Sequence, residues 1–161
     1  MTIKKLYRGV NKEKYDNDCG RVIPKINTVR ELESFIGCGD SYTHAGQPHV
    51  IAGKSNHNIL LAHQLLQKGY PTSCISTTPH YHIARSYAFK GEEFGVGYII
   101  EFDVQCLEEA GVGIYRVADL GVPPSVPEDD EHILYYNSGT DNEIPESTYF
   151  ASLVEEYEVL V

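Results

Sequence analysis

Arg8 stands inside a short apolar segment, Leu6-Tyr7-Arg8-Gly9. Burying a guanidinium is costly unless anions or hydrogen-bond acceptors meet it. Its planar fork of donors matches a phosphate or a carboxylate. Gly9 beside it would let a ligand approach the backbone closely. A second segment, Ile75-Ser76-Thr77-Thr78-Pro79, sets three hydroxyls in a row where a strand gives way to a helix. Helix capping accounts for Thr78. It leaves Ser76 and Thr77 to bond a ligand, a carboxylate or the backbone. A third segment, Thr140-Asp141-Asn142-Glu143-Ile144-Pro145, carries acids into a predicted strand, where Glu143 would face a cleft. Each segment alone also has a plain reading: an edge arginine, a helix cap, an exposed acid. Their order along one chain is the more specific signal.

Elements must position these residues. Lys4–Val10 reads as a strand, Val29–Ile36 as a short helix and Gly37–Asn58 as a long loop rich in Gly, His, Ser and Asn. Asn58–Lys68 has apolar residues at helical spacing and a stop signal in Gly69. Thr72–Thr77 reads as a strand. Thr78 as N-cap and Pro79 in the first turn then predict a helix over His80–Lys90. Gly97–Val104 alternates and is β-branched, so it is a strand. Ile114–Val117, His132–Tyr136, Thr140–Ile144 and Tyr157–Val161 are predicted strands, and the proline-rich acidic run Gly121–Glu131 a solvated loop. Strands and helices do not alternate regularly, which argues against a doubly wound sheet and for an α+β domain.

The 161 residues suit a single domain spanning 1–161. No apolar run approaches the ~20 residues of a membrane span, and the start lacks the apolar stretch of a secretory signal. Cys19, Cys38, Cys74 and Cys106 form no C-x-x-C pair and read as separate thiols. The histidines have no carboxylate or cysteine at ligand spacing, so no metal is expected. The net charge of −10 is unevenly divided. Residues 1–90 hold 12 of the 13 lysines and arginines but 6 of the 23 acids; residues 91–161 hold 17 acids and one base, Arg116. One half is suited to an anion, while the acidic whole disfavours nucleic acid as a partner.

An arginine strand, a Ser-Thr-Thr strand running into a helix with small residues (Ala84, Ala88), and a late glutamate occur here in that order. The pattern resembles the Arg–Ser–Glu, cholera-toxin-like class of mono-ADP-ribosyltransferases among bacterial toxins and effectors. LYRG is similar to the family's arginine strand, CISTTPHYHIARSYA to its Ser-Thr-Ser strand and helix, and GVGYIIEFDV to the strand that follows. The resemblance implies an α+β fold of two packed, mostly antiparallel sheets, flanked by helices, with NAD in a central cleft. It implies transfer of ADP-ribose from NAD to a macromolecular acceptor with release of nicotinamide and no metal. The alternatives are an NAD glycohydrolase without an acceptor and a non-catalytic domain of the same fold.

Carried over, Arg8 would bind a phosphate of NAD, with Tyr7 and Gly9 beside it. Ser76 would hold the catalytic glutamate, and Thr77 and Thr78 would shape the nicotinamide pocket. Tyr81, Tyr87 and Phe94 are candidates for the aromatic ring beside nicotinamide, and Tyr87 is counted with the cofactor-binding residues. The family often carries Glu-x-Glu or Gln-x-Glu. That triplet occurs late in this chain at Glu156-Tyr157-Glu158, but Glu158 leaves no room for a further strand. Glu143 is therefore preferred as the catalytic carboxylate, with Asp141 at the acceptor-binding position. An acidic rim fits a basic protein acceptor or an inhibitor, including the immunity protein that a toxin's producer would need. The setting would be the cytoplasm, or a target cell reached by delivery.

Overall fold

The computed structural model describes residues 2–25, 34–35, 51–52, 74–120 and 126–159. Their element order is β1 (Lys5–Asn11), α1 (Lys12–Asn17), β2 (Ser34–Phe35), β3 (Ile51–Ala52), β4 (Ile75–Thr77), α2 (Tyr81–Ala88), β5 (Gly95–Asp103), α3 (Val104–Glu109), β6 (Gly113–Arg116), β7 (His132–Tyr135) and β8 (Tyr149–Glu156). All pairings are antiparallel. One sheet runs β1-β5-β8 and a second β4-β7-β6, with β2 and β3 as a separate pair. This is an α+β arrangement of small antiparallel sheets, as the irregular order of elements predicts.

The two three-stranded sheets share a core. In β1, Leu6 and Val10 are buried on one face, and Arg8 lies between them with the same parity. Leu6 and Val10 pack in one cluster with Ile100 and Phe102 of β5, and with Ile75 and Leu134 of the other sheet. Arg8 thus enters the layer between the sheets. A bridge between Tyr7 and Thr78 joins them, with Tyr7 N–H donating to the Thr78 carbonyl (2.7 Å) and Thr78 N–H to the Tyr7 carbonyl (2.9 Å).

The other face of the first sheet packs on α2 through Ile99, Ala84, Ala88 and Phe89. A Cβ on Gly9 would fall 1.7 Å from the Ala84 carbonyl oxygen, and one on Gly97 2.6 Å from that of Ala88. Gly9 is therefore required by close helix approach, a constraint beyond the one expected from the sequence. Thr78 departs from expectation. The N-cap of α2 is His80, without a side-chain cap bond, while Thr78 stays extended in the bridge. Its hydroxyl still takes the His80 N–H at 3.1 Å.

Several predicted elements differ. Thr140–Ile144 is not a strand: Ser138 and Asp141 close a turn, the Ser138 hydroxyl accepting the Asp141 N–H at 3.0 Å. Such local side-chain bonds compete with a sheet ladder. The last strand is β8, paired along β5, and residues 157–159 lie past its end in no element. Of the predicted helix Val29–Ile36, only residues 34–35 are described, and they pair as a strand with 51–52 inside the predicted loop Gly37–Asn58. The predicted helix Asn58–Lys68 and Cys38 lie outside the described residues. Cys19, Cys74 and Cys106 are free thiols. Among the described residues no helix is long and apolar enough to cross a membrane.

Two expectations follow. Gly9→Ala forces a methyl into helix backbone, which should cost at least about 3 kcal/mol, read as a lowered urea midpoint. Cys74 is buried, packed with Val117 and Ile133, and burial pushes its thiol from 9.0 up to about 12. The unfolded thiol ionises before the native one, so this group's stabilisation should fall as pH rises from about 9 to about 12. At pH 8, an alkylating reagent should label exposed Cys19 well before buried Cys74, and denaturant should remove the difference. Equal labelling rates in the native protein would contradict the burial.

Candidate active site

The Arg8 guanidinium crosses between the sheets and donates from Nη1 to the Ser76 carbonyl at 2.9 Å. Burial pulls its pKa down, while the carboxylates of Asp18 and Glu131 pull it up. An arginine keeps its proton in such a setting. The charge is thus held by one main-chain acceptor and by two acids on different elements.

β4 delivers the hydroxyl segment. Ile75 and Thr77 are buried, and the Thr77 hydroxyl donates to the His132 carbonyl at 2.7 Å, tying β4 to β7. Cys74, Ser76 and Thr78 take the opposite parity. Ser76 pairs with Ile133, so the same register continued by two residues sets Glu131 across from Thr78. The chain before β7 is tightly fixed. Pro127–Asp129 forms a short 3₁₀ turn, and Asp130 takes a left-handed conformation (φ 44°) with its carboxylate on Arg116 Nε at 2.7 Å. The Glu131 carbonyl accepts the Val117 N–H at 2.9 Å. Asp129 is gripped twice from the strand-to-helix segment. The Thr78 hydroxyl donates to its carbonyl at 2.5 Å, and the Tyr87 phenol donates to its carboxylate. Burial and that contact push Tyr87 up to about 12, so it remains a donor at neutral pH.

A cavity of about 360 Å³ lies where these elements meet, a size within the range of ligand pockets. Tyr7, Arg8, Gly9, Ser76, Thr77, Thr78 and Tyr87 all line it. Cations Lys14 and Lys25 line it with Arg8, and so do the acids Asp129 and Glu131. The cavity lining therefore carries both signs of charge.

The late acids lie elsewhere. Glu143 is absent from the lining, and its carboxylate meets Arg21 Nη1 at 3.3 Å. The Asp141 carboxylate serves its own turn, accepting the Glu143 N–H at 3.1 Å. Glu158 lies past the end of β8. Of the aromatic candidates, Tyr87 lines the cavity, while Tyr81 and Phe94 do not. Tyr81 instead packs edge-on against Tyr7, with ring centroids 5.6 Å apart. The charged lining residues missed in the sequence are Lys14, Lys25, Asp129 and Glu131. Asp129 and Glu131 were legible in principle: Asp129-Asp130-Glu131 spaces two carboxylates by one residue just before the apolar run His132–Tyr135. Among the described residues, no three His, Cys, Asp or Glu side chains gather as a metal site.

No curated protein matches the chain. Residues 5–133 match the sequence model of NarE, an ADP-ribosyltransferase-like family from Neisseria. The matched span holds Arg8, Ser76 and Glu131 and ends before Asp141 and Glu143. With the match extending over most of its length, the chain belongs to the NarE family.

Proposed function

We propose that the protein cleaves NAD between nicotinamide and ribose and transfers the ADP-ribose to a macromolecular acceptor, with Glu131 as the catalytic carboxylate. The observation that supports this most is that Arg8 and Glu131 line one cavity and both fall inside the span matched to the family. The diphosphate of NAD is anionic and its nicotinamide ring cationic, so the molecule carries both signs of charge, as the cavity lining does. When the glycosidic bond breaks, its electron pair leaves with nicotinamide, which departs neutral. The positive charge passes to the ribose as an oxocarbenium-like ion. A fixed carboxylate facing that carbon stabilises the developing charge. The acceptor nucleophile then bonds to the same carbon and loses its proton to solvent. Arg8, held on the Ser76 carbonyl, fixes the phosphates and so the distance from the ribose to Glu131.

Ser76 shares the β4 face that turns toward Glu131, and its role in this reading is to hold that carboxylate in place. Thr77 and Thr78 act at one remove, through the His132 and Asp129 carbonyls. The acceptor position two residues before the glutamate becomes Asp129 and not Asp141. Its carboxylate, fixed by Tyr87, suits a basic group on a protein acceptor.

The test compares two glutamate variants in nicotinamide release from NAD and in labelling of proteins by the transferred group. Glu131→Gln should lower both by at least about a hundredfold, with a modest loss of thermal stability because Arg8 loses one of its two opposing charges. Glu143→Gln should stay within a few-fold of the parent. The reverse pattern would return the catalytic role to Glu143. No NAD cleavage by the parent protein would end the assignment.

A further inference from the structure

Arg8 is not the only cation on the cavity wall. Lys14 and Lys25 line it too, Lys14 on α1 and Lys25 in the segment that follows it. Lys14 sits in the first turns of α1, whose N-cap Asn11 accepts the Lys14 N–H at 3.0 Å. The helix is fixed on β5 by stacking of Tyr15 on Tyr98, with centroids 3.6 Å apart and planes 10° from parallel. The Lys14 ammonium is braced by Asp18 one turn on, at 2.7 Å. Asp18 is also one of the two acids whose charge supports Arg8. Lys25 follows Ile23 and Pro24 on the same wall. That segment is pinned at buried Val22, whose N–H donates to the Tyr149 hydroxyl at 3.2 Å and whose carbonyl accepts the Ile144 N–H at 3.1 Å.

We infer that Lys14 and Lys25 complete, with Arg8, a three-cation subsite for the diphosphate of the dinucleotide. The inference rests on the NAD reading above and extends it to two residues outside the Arg–Ser–Glu pattern. Cations spread over β1, α1 and the segment after it suit an extended polyanion better than one carboxylate, which a single arginine fork satisfies. Asp18 serves as the positioning residue, holding the Lys14 ammonium until phosphate oxygens take it. Lys12 supplies an internal comparison. It lies on the same short helix and makes the same spacing of ion pair, to Asp16, but does not line the cavity.

The experiment is calorimetric titration of ADP-ribose, which keeps the diphosphate and lacks nicotinamide, into the full chain at low salt. Lys14→Ala and Lys25→Ala should each weaken binding about tenfold, with the slope of affinity against salt reduced in each. Lys12→Ala should stay within twofold, and the affinity for uncharged nicotinamide should be the same in all variants. Equal losses in all three lysine variants would reduce the effect to net charge and overturn the inference. So would unchanged affinity in Lys14→Ala and Lys25→Ala. Those failures leave NAD cleavage by the parent intact, whereas loss of that activity in the parent itself would remove the underlying reading.

Discussion

A guanidinium between two sheets is the constraint on which the site depends. Arg8 emerges on the same face as Leu6 and Val10, where an aliphatic side chain would be the ordinary choice. Desolvating that charge is unfavourable, and the surroundings offset the cost piece by piece: the Ser76 carbonyl accepts one donor, and Asp18 and Glu131 supply opposite charge. The arginine also lines the cavity. A charge held this way is a poor contribution to stability but a fixed electrostatic feature, oriented before any ligand arrives.

The bridge between Tyr7 and Thr78 gives that arrangement its geometry. It places β1 beside the end of β4 and lets the chain turn at once into α2, which closes back over β1. Gly9 and Gly97 supply the close approach and Ala84 and Ala88 the matching helix face. The same strand-to-helix segment then grips Asp129 through Thr78 and Tyr87. One continuous stretch, residues 75–88, therefore connects the arginine, the hydroxyls and the acidic wall. Strain at any one of these would be transmitted to the others.

Much of this was legible in the sequence, for reasons that vary by element. β1, β4, β5 and β7 show local alternation or β-branched composition, and α2 has helix-starting residues before it and small residues within. The arginine and the Ser-Thr-Thr segment were recognisable because each lies inside its own strand. The carboxylate proposed for catalysis was harder. Glu131 closes a run of acids and prolines that resembles a solvated loop, and its place is set by pairing of β7 on β4, a contact between residues far apart in sequence. Glu143 had the better local signal, an acid entering a β-branched segment, yet the Ser138–Asp141 turn fixes that backbone away from any sheet. Lys14 and Lys25 had no local signal at all, because lysines on a short helix and on a loop are ordinarily solvated.

The central claim is that one dinucleotide occupies this cavity, with its diphosphate on Arg8 and its nicotinamide ribose on Glu131. It is met most directly by a crystal structure of the Glu131→Gln protein with NAD. The account predicts the diphosphate against Arg8 and the anomeric carbon of the nicotinamide ribose facing residue 131, with the ring beside Tyr87. A dinucleotide seated away from Arg8, or with its nicotinamide ribose against Glu143 and Arg21, would contradict it.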